Sequence, residues 1–242
     1  MRKSGMKNFL KVFFVVSTAS LAGTATQADL VFSTASGSDA GTATFSILQN
    51  GNLQIIIQNT SSPATSSPGD VLTALFFQGG GSGLSVVSET LPTGDSIFQG
   101  SATLSKLNSP TTLPTTVNYN NNSYALQAWQ AGYSSTTYGV GIGGLNFGGF
   151  GGINSDKDGL VSSGYPPSSI GGLENDGDIV IGNEIIIELS GANINLNTLS
   201  DFQFHFGTDN VVAVPESGTL FAACGVLAPF CLIALRKFRA QA

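Results

Sequence analysis

The chain of 242 residues carries nine Lys and Arg against 15 Asp and Glu, one His and two Cys, for a net charge of −6. So acidic a chain has no basic face with which to neutralise phosphates, which excludes nucleic acid as a natural partner. Both cysteines, Cys224 and Cys231, fall in one apolar run near the C-terminus, so the body of the chain has neither a disulfide framework nor a Cys-based metal site.

Residues 1–11 hold Arg2, Lys3, Lys7 and Lys11 with no acid, and Val12 to Gly23 is apolar or small. With small residues at Thr26 and Ala28, this reads as a secretory signal peptide over 1–28, cut by signal peptidase before Asp29, with Ala25 as a second candidate. The apolar run is too short for a stable membrane span, which predicts removal rather than anchoring.

Residues 29–213 contain 14 of the 15 acids and only Lys106 and Lys157 as cations, a net charge of −12 that suits solubility outside the cell. Strand signals dominate. Ala43 to Leu48 and Leu53 to Gln58 alternate on either side of Asn50-Gly51, which predicts a hairpin with a type I′ turn and Leu53, Ile55 and Ile57 facing a core. A Ser/Pro loop over 61–69 precedes a strand at 70–77, and 84–90 is a further strand candidate. Residues 100–123 are soft, rich in Ser, Thr, Pro and Asn; Tyr124, Leu126, Ala128 and Trp129 form a candidate strand, and the glycine run 132–152 reads as a loop. Ile179 to Ile181, Asn183 to Ser190 and Phe202 to Gly207 alternate as strands, with a tight turn at Gly182-Asn183 and a short tether from Asp209 to Ala213. About ten short strands with turns between them predict an all-β fold, an antiparallel β-sandwich or jelly roll, in preference to a barrel.

The chemistry-bearing motifs are sparse. Gly139, Gly141 and Gly144 fit a dinucleotide fingerprint by letter but lack a βαβ context, and Leu91-Pro92-Thr93-Gly94 reads as a turn. Asn154 to Gly159 opens like a calcium loop but has Tyr165 at the twelfth position, so Asp156, Asp158, Asp176 and Asp178 are weak calcium candidates beside a reading as solvated loops. No other cofactor is predicted. His205 should lie on the wetter strand face, opposite Phe202, Phe204 and Phe206, and one His supports neither a His-rich zinc site nor more than a lone triad member. Glu184 and Glu188 share a strand face about 13 Å apart, too far for a glycosidase pair. Trp129, Tyr124, Tyr133 and Tyr138 are candidates for a sugar-binding platform, or for the core.

The C-terminal stretch is a sorting tail in physical terms. Val214, Pro215 and Glu216 precede an apolar run of 17 residues, Thr219 to Leu235, and then Arg236, Lys237 and Arg239. The run leaves no polar face and is a short membrane span, with the basic cluster on the cytoplasmic side. This combination resembles the C-terminal signal of PEP-CTERM proteins, whose usual motif is Val-Pro-Glu-Pro; here Ser217 and Gly218 follow the glutamate. The order of hairpin, Pro loop and Asp70 to Phe77, with Phe202 to Thr208 before the motif, is also similar to a recurrent exported domain of that family, one without assigned chemistry. The resemblance implies transient anchoring in the inner membrane, processing by an exosortase-like enzyme, and delivery to the cell surface or extracellular matrix in association with exopolysaccharide. It implies no enzyme; a carbohydrate-binding or carbohydrate-cleaving jelly roll is the alternative.

Overall fold

The computed structural model describes residues 29–99, 102–134, 136–142, 159–165, 179–207 and 210–214. The fold is all-β and antiparallel, with no α-helix among the described residues. The strands are β1 (Leu30–Ser36), β2 (Asp39–Ile47), β3 (Leu53–Asn59), β4 (Leu72–Leu91), β5 (Ser96–Gln99), β6 (Ala102–Lys106) and β7 (Thr111–Thr112). They continue with β8 (Thr115–Tyr119), β9 (Asn122–Leu126), β10 (Gln130–Ser134), β11 (Thr137–Gly141), β12 (Ile179–Ile181), β13 (Glu184–Phe206) and β14 (Asn210–Ala213). The main sheet runs β1-β2-β3-β13-β4-β11-β10, with β14 added to β13 and β7 to β4; β12-β5-β6 and β8-β9 form smaller sheets. No helix among the described residues is long and apolar enough to cross a membrane, and the predicted signal peptide and the apolar run 219–235 lie outside them.

The alternation read in the first hairpin sets the core. Phe45 pairs with Ile55 and Ile55 with Ile187; Ala43 pairs with Ile57 and Ile57 with Ile185. These cross-strand rows are fully buried, and each such side chain contributes about 1.5–3 kcal/mol by leaving water. The hairpin is where the sequence places it, but its turn differs from expectation. Gly51 N donates to Leu48 O and Leu48 N to Asn52 O, both at 2.9 Å. Within the loop only Gly51 has a positive φ, 84°. This is a type I turn closed by a glycine bulge, a three-residue loop in place of the two-residue type I′. The type I′ geometry occurs instead at Asn120 and Asn121, with φ of 49° and 64°, between β8 and β9. A stretch that reads as soft thus holds a regular hairpin.

Two long strands turn this one sheet into a sandwich-like body. β13 pairs β3 and the second half of β4 with Glu184 to Leu189, then pairs the first half of β4 and β14 with Ser200 to Phe206. Its register with β4 shifts repeatedly between Ser190 and Gln203, opposite Gly79, Gly80, Gly81 and Gly83, all at positive φ. Bulges and glycines of this kind bend strands from one layer into the next. The layers then meet face to face. Phe32 stacks on Phe202 at 3.6 Å, and Phe45 meets Phe77 at 5.3 Å and Phe202 at 5.4 Å. The sequence reads 70–77 and 84–90, and again 183–190 and 202–207, as separate strands; each pair is one strand, because the glycines and Asn193 or Asp201 at positive φ bend the chain without ending its pairing.

A second apolar cluster of Val71, Phe98, Val161, Tyr165 and Val180 lies under the β12-β5-β6 sheet. The segment 159–161 joins it to the main sheet, exchanging hydrogen bonds between Leu160 and Leu72 at 2.9 Å in both directions. Asn59, 1% exposed, fixes this seam: its Nδ2 donates to Asp70 O and Leu160 O, and its Oδ1 accepts from Ser61 N. Gly182 and Asn183 form a bend at which the chain leaves the β12 sheet for the main one, rather than a hairpin turn.

Candidate functional site

The site with the most unusual chemistry is a carboxyl group that the sequence does not single out. Glu89, near the end of β4, is 2% exposed. Its Oε2 accepts the Trp129 backbone N–H at 2.6 Å, and its carbonyl accepts Leu113 N at 2.9 Å. Burial pushes the carboxyl up to about 7 and the Trp129 N–H pulls it part of the way back. Burial also raises the Tyr138 phenol, with the Glu89 charge adding to it.

Glu89 lines a cleft of about 410 Å³, between the Val86-Val87 stretch of β4 and a wall that includes Trp129, Ala131 and Tyr138. Ser85, Ser88 and Thr112 also line it, the two serine hydroxyls being bonded to Ser190 and Glu188. Among the described lining residues there is no second carboxylate, imidazole, thiol or amine. A lone carboxyl near neutrality can give or take one hydrogen bond or meet one cation, but the two-carboxylate chemistry of sugar cleavage needs a second such group.

Two other buried titratable groups serve the fold. Asp95 is 8% exposed, accepts Ser96 N at 3.0 Å, and packs where a Cβ on Gly182 would overlap its Oδ1. Burial raises it to about 6 against the pull of neighbouring backbone N–H groups. His205 is 4% exposed, with its ring 4.7 Å from Phe76, and burial lowers it to about 4, so it is neutral. The expectation of a wetter face fails here because β4 and β13 are covered on both sides in this layer: every residue from Val71 to Phe77 is buried.

Glu184 and Glu188 do share a face, each meeting amides of neighbouring strands and turns. Gln58 Nε2 donates to Glu184. Asn52 and Asn50 donate to Glu188 at 2.6 and 2.9 Å, and these bonds hold it below the usual carboxylate range. Of the aromatic candidates, Trp129 and Tyr138 are 3% and 2% exposed and belong to the core, and Tyr124 is half-buried in the β8-β9 hairpin; the side chain of Tyr133 lies outside the described set. Trp129 follows β9 in an irregular link instead of extending that strand. Leu91 ends β4, and Pro92 to Asp95 form the turn, with Asp95 N donating to Pro92 O at 3.3 Å and Gly94 at φ 90°.

The calcium candidates Asp156, Asp158, Asp176 and Asp178 lie outside the described residues, as do Pro215, Glu216, Arg236, Lys237 and Arg239. Among the described residues no group of three or more His, Cys, Asp or Glu is placed to hold a metal ion. Val214 is described, and with it comes a correction. Instead of a tether, residues 210–213 form β14, pairing with Gln203 to Phe206, and Val214 N donates to Phe202 O at 2.8 Å. Gly207, at φ 56°, turns the chain back, and Val212 is buried on the core. No family model, curated protein or solved structure matches this chain.

Proposed function

We propose that the chain is a non-enzymatic exported protein, sorted through its C-terminal tail by an exosortase-type system to the cell surface or extracellular matrix, where it associates with exopolysaccharide. The observation that carries this reading is the segregation of charge along the chain. Seven of the nine cations flank the two terminal apolar runs, while the 185 residues between carry a net charge of −12. Positive clusters beside apolar runs stay cytoplasmic, so the acidic region between them is exported. The described strands, from Leu30 to Ala213, fall inside that acidic region and use no cysteine, so burial and hydrogen bonding stabilise them without a disulfide.

The alternative, a carbohydrate-binding or carbohydrate-cleaving jelly roll, draws less support. Trp129 and Tyr138 offer no exposed ring face, and among the described residues Glu89 has no second carboxyl beside it in the cleft. Cell fractionation with mass spectrometry of the mature termini tests the sorting reading. The expected product on the outside begins at or near Asp29 and lacks Arg236 to Ala242; released protein that keeps those residues overturns it. A glycan array with the purified protein tests the alternative, and hydrolysis of any glycan would sink the non-enzymatic assignment.

A further inference from the structure

Among the described residues, the edge of β4 that faces away from β13 is covered at its two ends and bare between them. β11 pairs it from Ala74 to Gln78, and β7 pairs Thr90 and Leu91. Leu113 N also donates to Glu89 O at 2.9 Å, and among the described residues no strand pairs that edge from Gly79 to Ser88. The cleft beside Glu89 occupies part of this gap. Bare edges are normally guarded by charge or proline, yet residues 78–88 contain neither. Val86 and Val87 are 37% and 53% exposed there, and the register shift opposite Glu188 and Leu189 leaves Val87 out of the β13 ladder.

The one charged side chain lining the gap is Glu89, which has no cationic partner among the described residues. We propose that the gap is a strand-addition site for an extended polypeptide of a partner protein, which pairs its main chain with the bare edge of β4, covers Val86 and Val87 with apolar side chains and sets a lysine ammonium against Glu89. Three features converge on that occupant. Unpaired strand groups select another main chain, as in other strand-addition sites. Exposed valines select alternate apolar side chains. The isolated acid, in a body with a net charge of −12, selects a cation. A glycan fits less well, since among the described lining residues it would find no open aromatic face and it would leave the apolar valines uncovered. This inference is independent of the sorting tail.

Trp129 is the chain's single tryptophan and lines the gap, so its emission reports on occupancy. The experiment titrates the full-length chain with an acetylated heptapeptide of alternating valine and threonine carrying one central lysine, and with the same peptide carrying glutamate there instead. Expected is a saturable shift of Trp129 emission with the lysine peptide, weakened at least roughly tenfold by the glutamate exchange, by Glu89→Gln, and by Val87→Lys, an exposed position that tolerates the change. No shift at millimolar lysine peptide, equal responses to the two peptides, or full binding by both variants overturns the proposal. So does an emission shift produced by a panel of oligosaccharides and not by the peptide.

Discussion

Carboxyl groups taken out of water hold their protons more tightly, and in this protein the effect fixes the sign of the stability profile. Glu89 sits at about 7 against an ordinary 4.5, so its contribution is fully present below pH 4.5 and is lost as pH rises through 7. Asp95, at about 6 against 3.8, acts in the same sense. His205 is depressed, at about 4 against 6.5; its contribution is present above pH 6.5 and is lost as pH falls through 4. The histidine offsets one carboxyl but not both, so these groups together make the fold more stable near pH 5 than at pH 8. Unfolding by denaturant at the two pH values should show this difference. Glu89→Gln should remove much of it by stabilising the protein at pH 8, by up to about 3 kcal/mol at ~1.4 kcal/mol per unit, and should give no gain below pH 4.5. His205→Gln should steepen the decline. A flat profile in the unmodified protein would show that neither carboxyl is desolvated as described.

The corner where β4 and β13 change layers is the element on which the packing depends. At Gly79, with φ at 78°, an added Cβ would stand 1.9 Å from Thr198 O, a backbone atom that cannot swing aside. At Gly83, with φ at 61°, nothing lies within 4 Å. Gly83→Ala should therefore cost only the left-handed strain, about 1–2 kcal/mol, whereas Gly79→Ala adds a clash and should cost at least twice that. Equal losses of melting temperature for the two variants would mean that the corner is not tightly packed. This corner is also where the sequence is hardest to read. The hairpin over β2 and β3 is legible because its period of two is unbroken and Asn50-Gly51 punctuates it. A glycine run, by contrast, looks like a break, and whether it ends a strand or bends it depends on a partner more than a hundred residues away, as with Ala192 opposite Ser82. Glu89 is hidden for the same reason. Nothing local marks it in Ser88-Glu89-Thr90, and its carboxylate bond comes from Trp129, 40 residues on.

At the scale of the whole molecule, the two ends of the strand system meet. Thr34 Oγ1 of β1 donates to Ala213 O of β14 at 3.3 Å, Phe32 stacks on Phe202, and Val214 N reaches Phe202 O. β14 is thus a closing strand whose Val212 is buried at 7% exposure. On the proposed sorting reading, Pro215 and Glu216 follow directly from a residue hydrogen-bonded into the sheet, so the fold itself limits how far the motif can reach toward a membrane-embedded enzyme. Two outcomes follow. A chain ending at Gly207 should lose roughly 2–3 kcal/mol, the burial of Val212 and the cover over Phe202, and the mature protein should accordingly keep Val214, a point that mass spectrometry of its C-terminus checks. Inserting a flexible Gly/Ser linker between Val214 and Pro215 should leave the melting temperature unchanged but speed processing in a pulse-chase, because the motif no longer depends on fraying of β14. A mature C-terminus before Asn210 would show that the closing strand is dispensable to the exported form, and a linker that slows processing would show that fraying of β14 does not limit it.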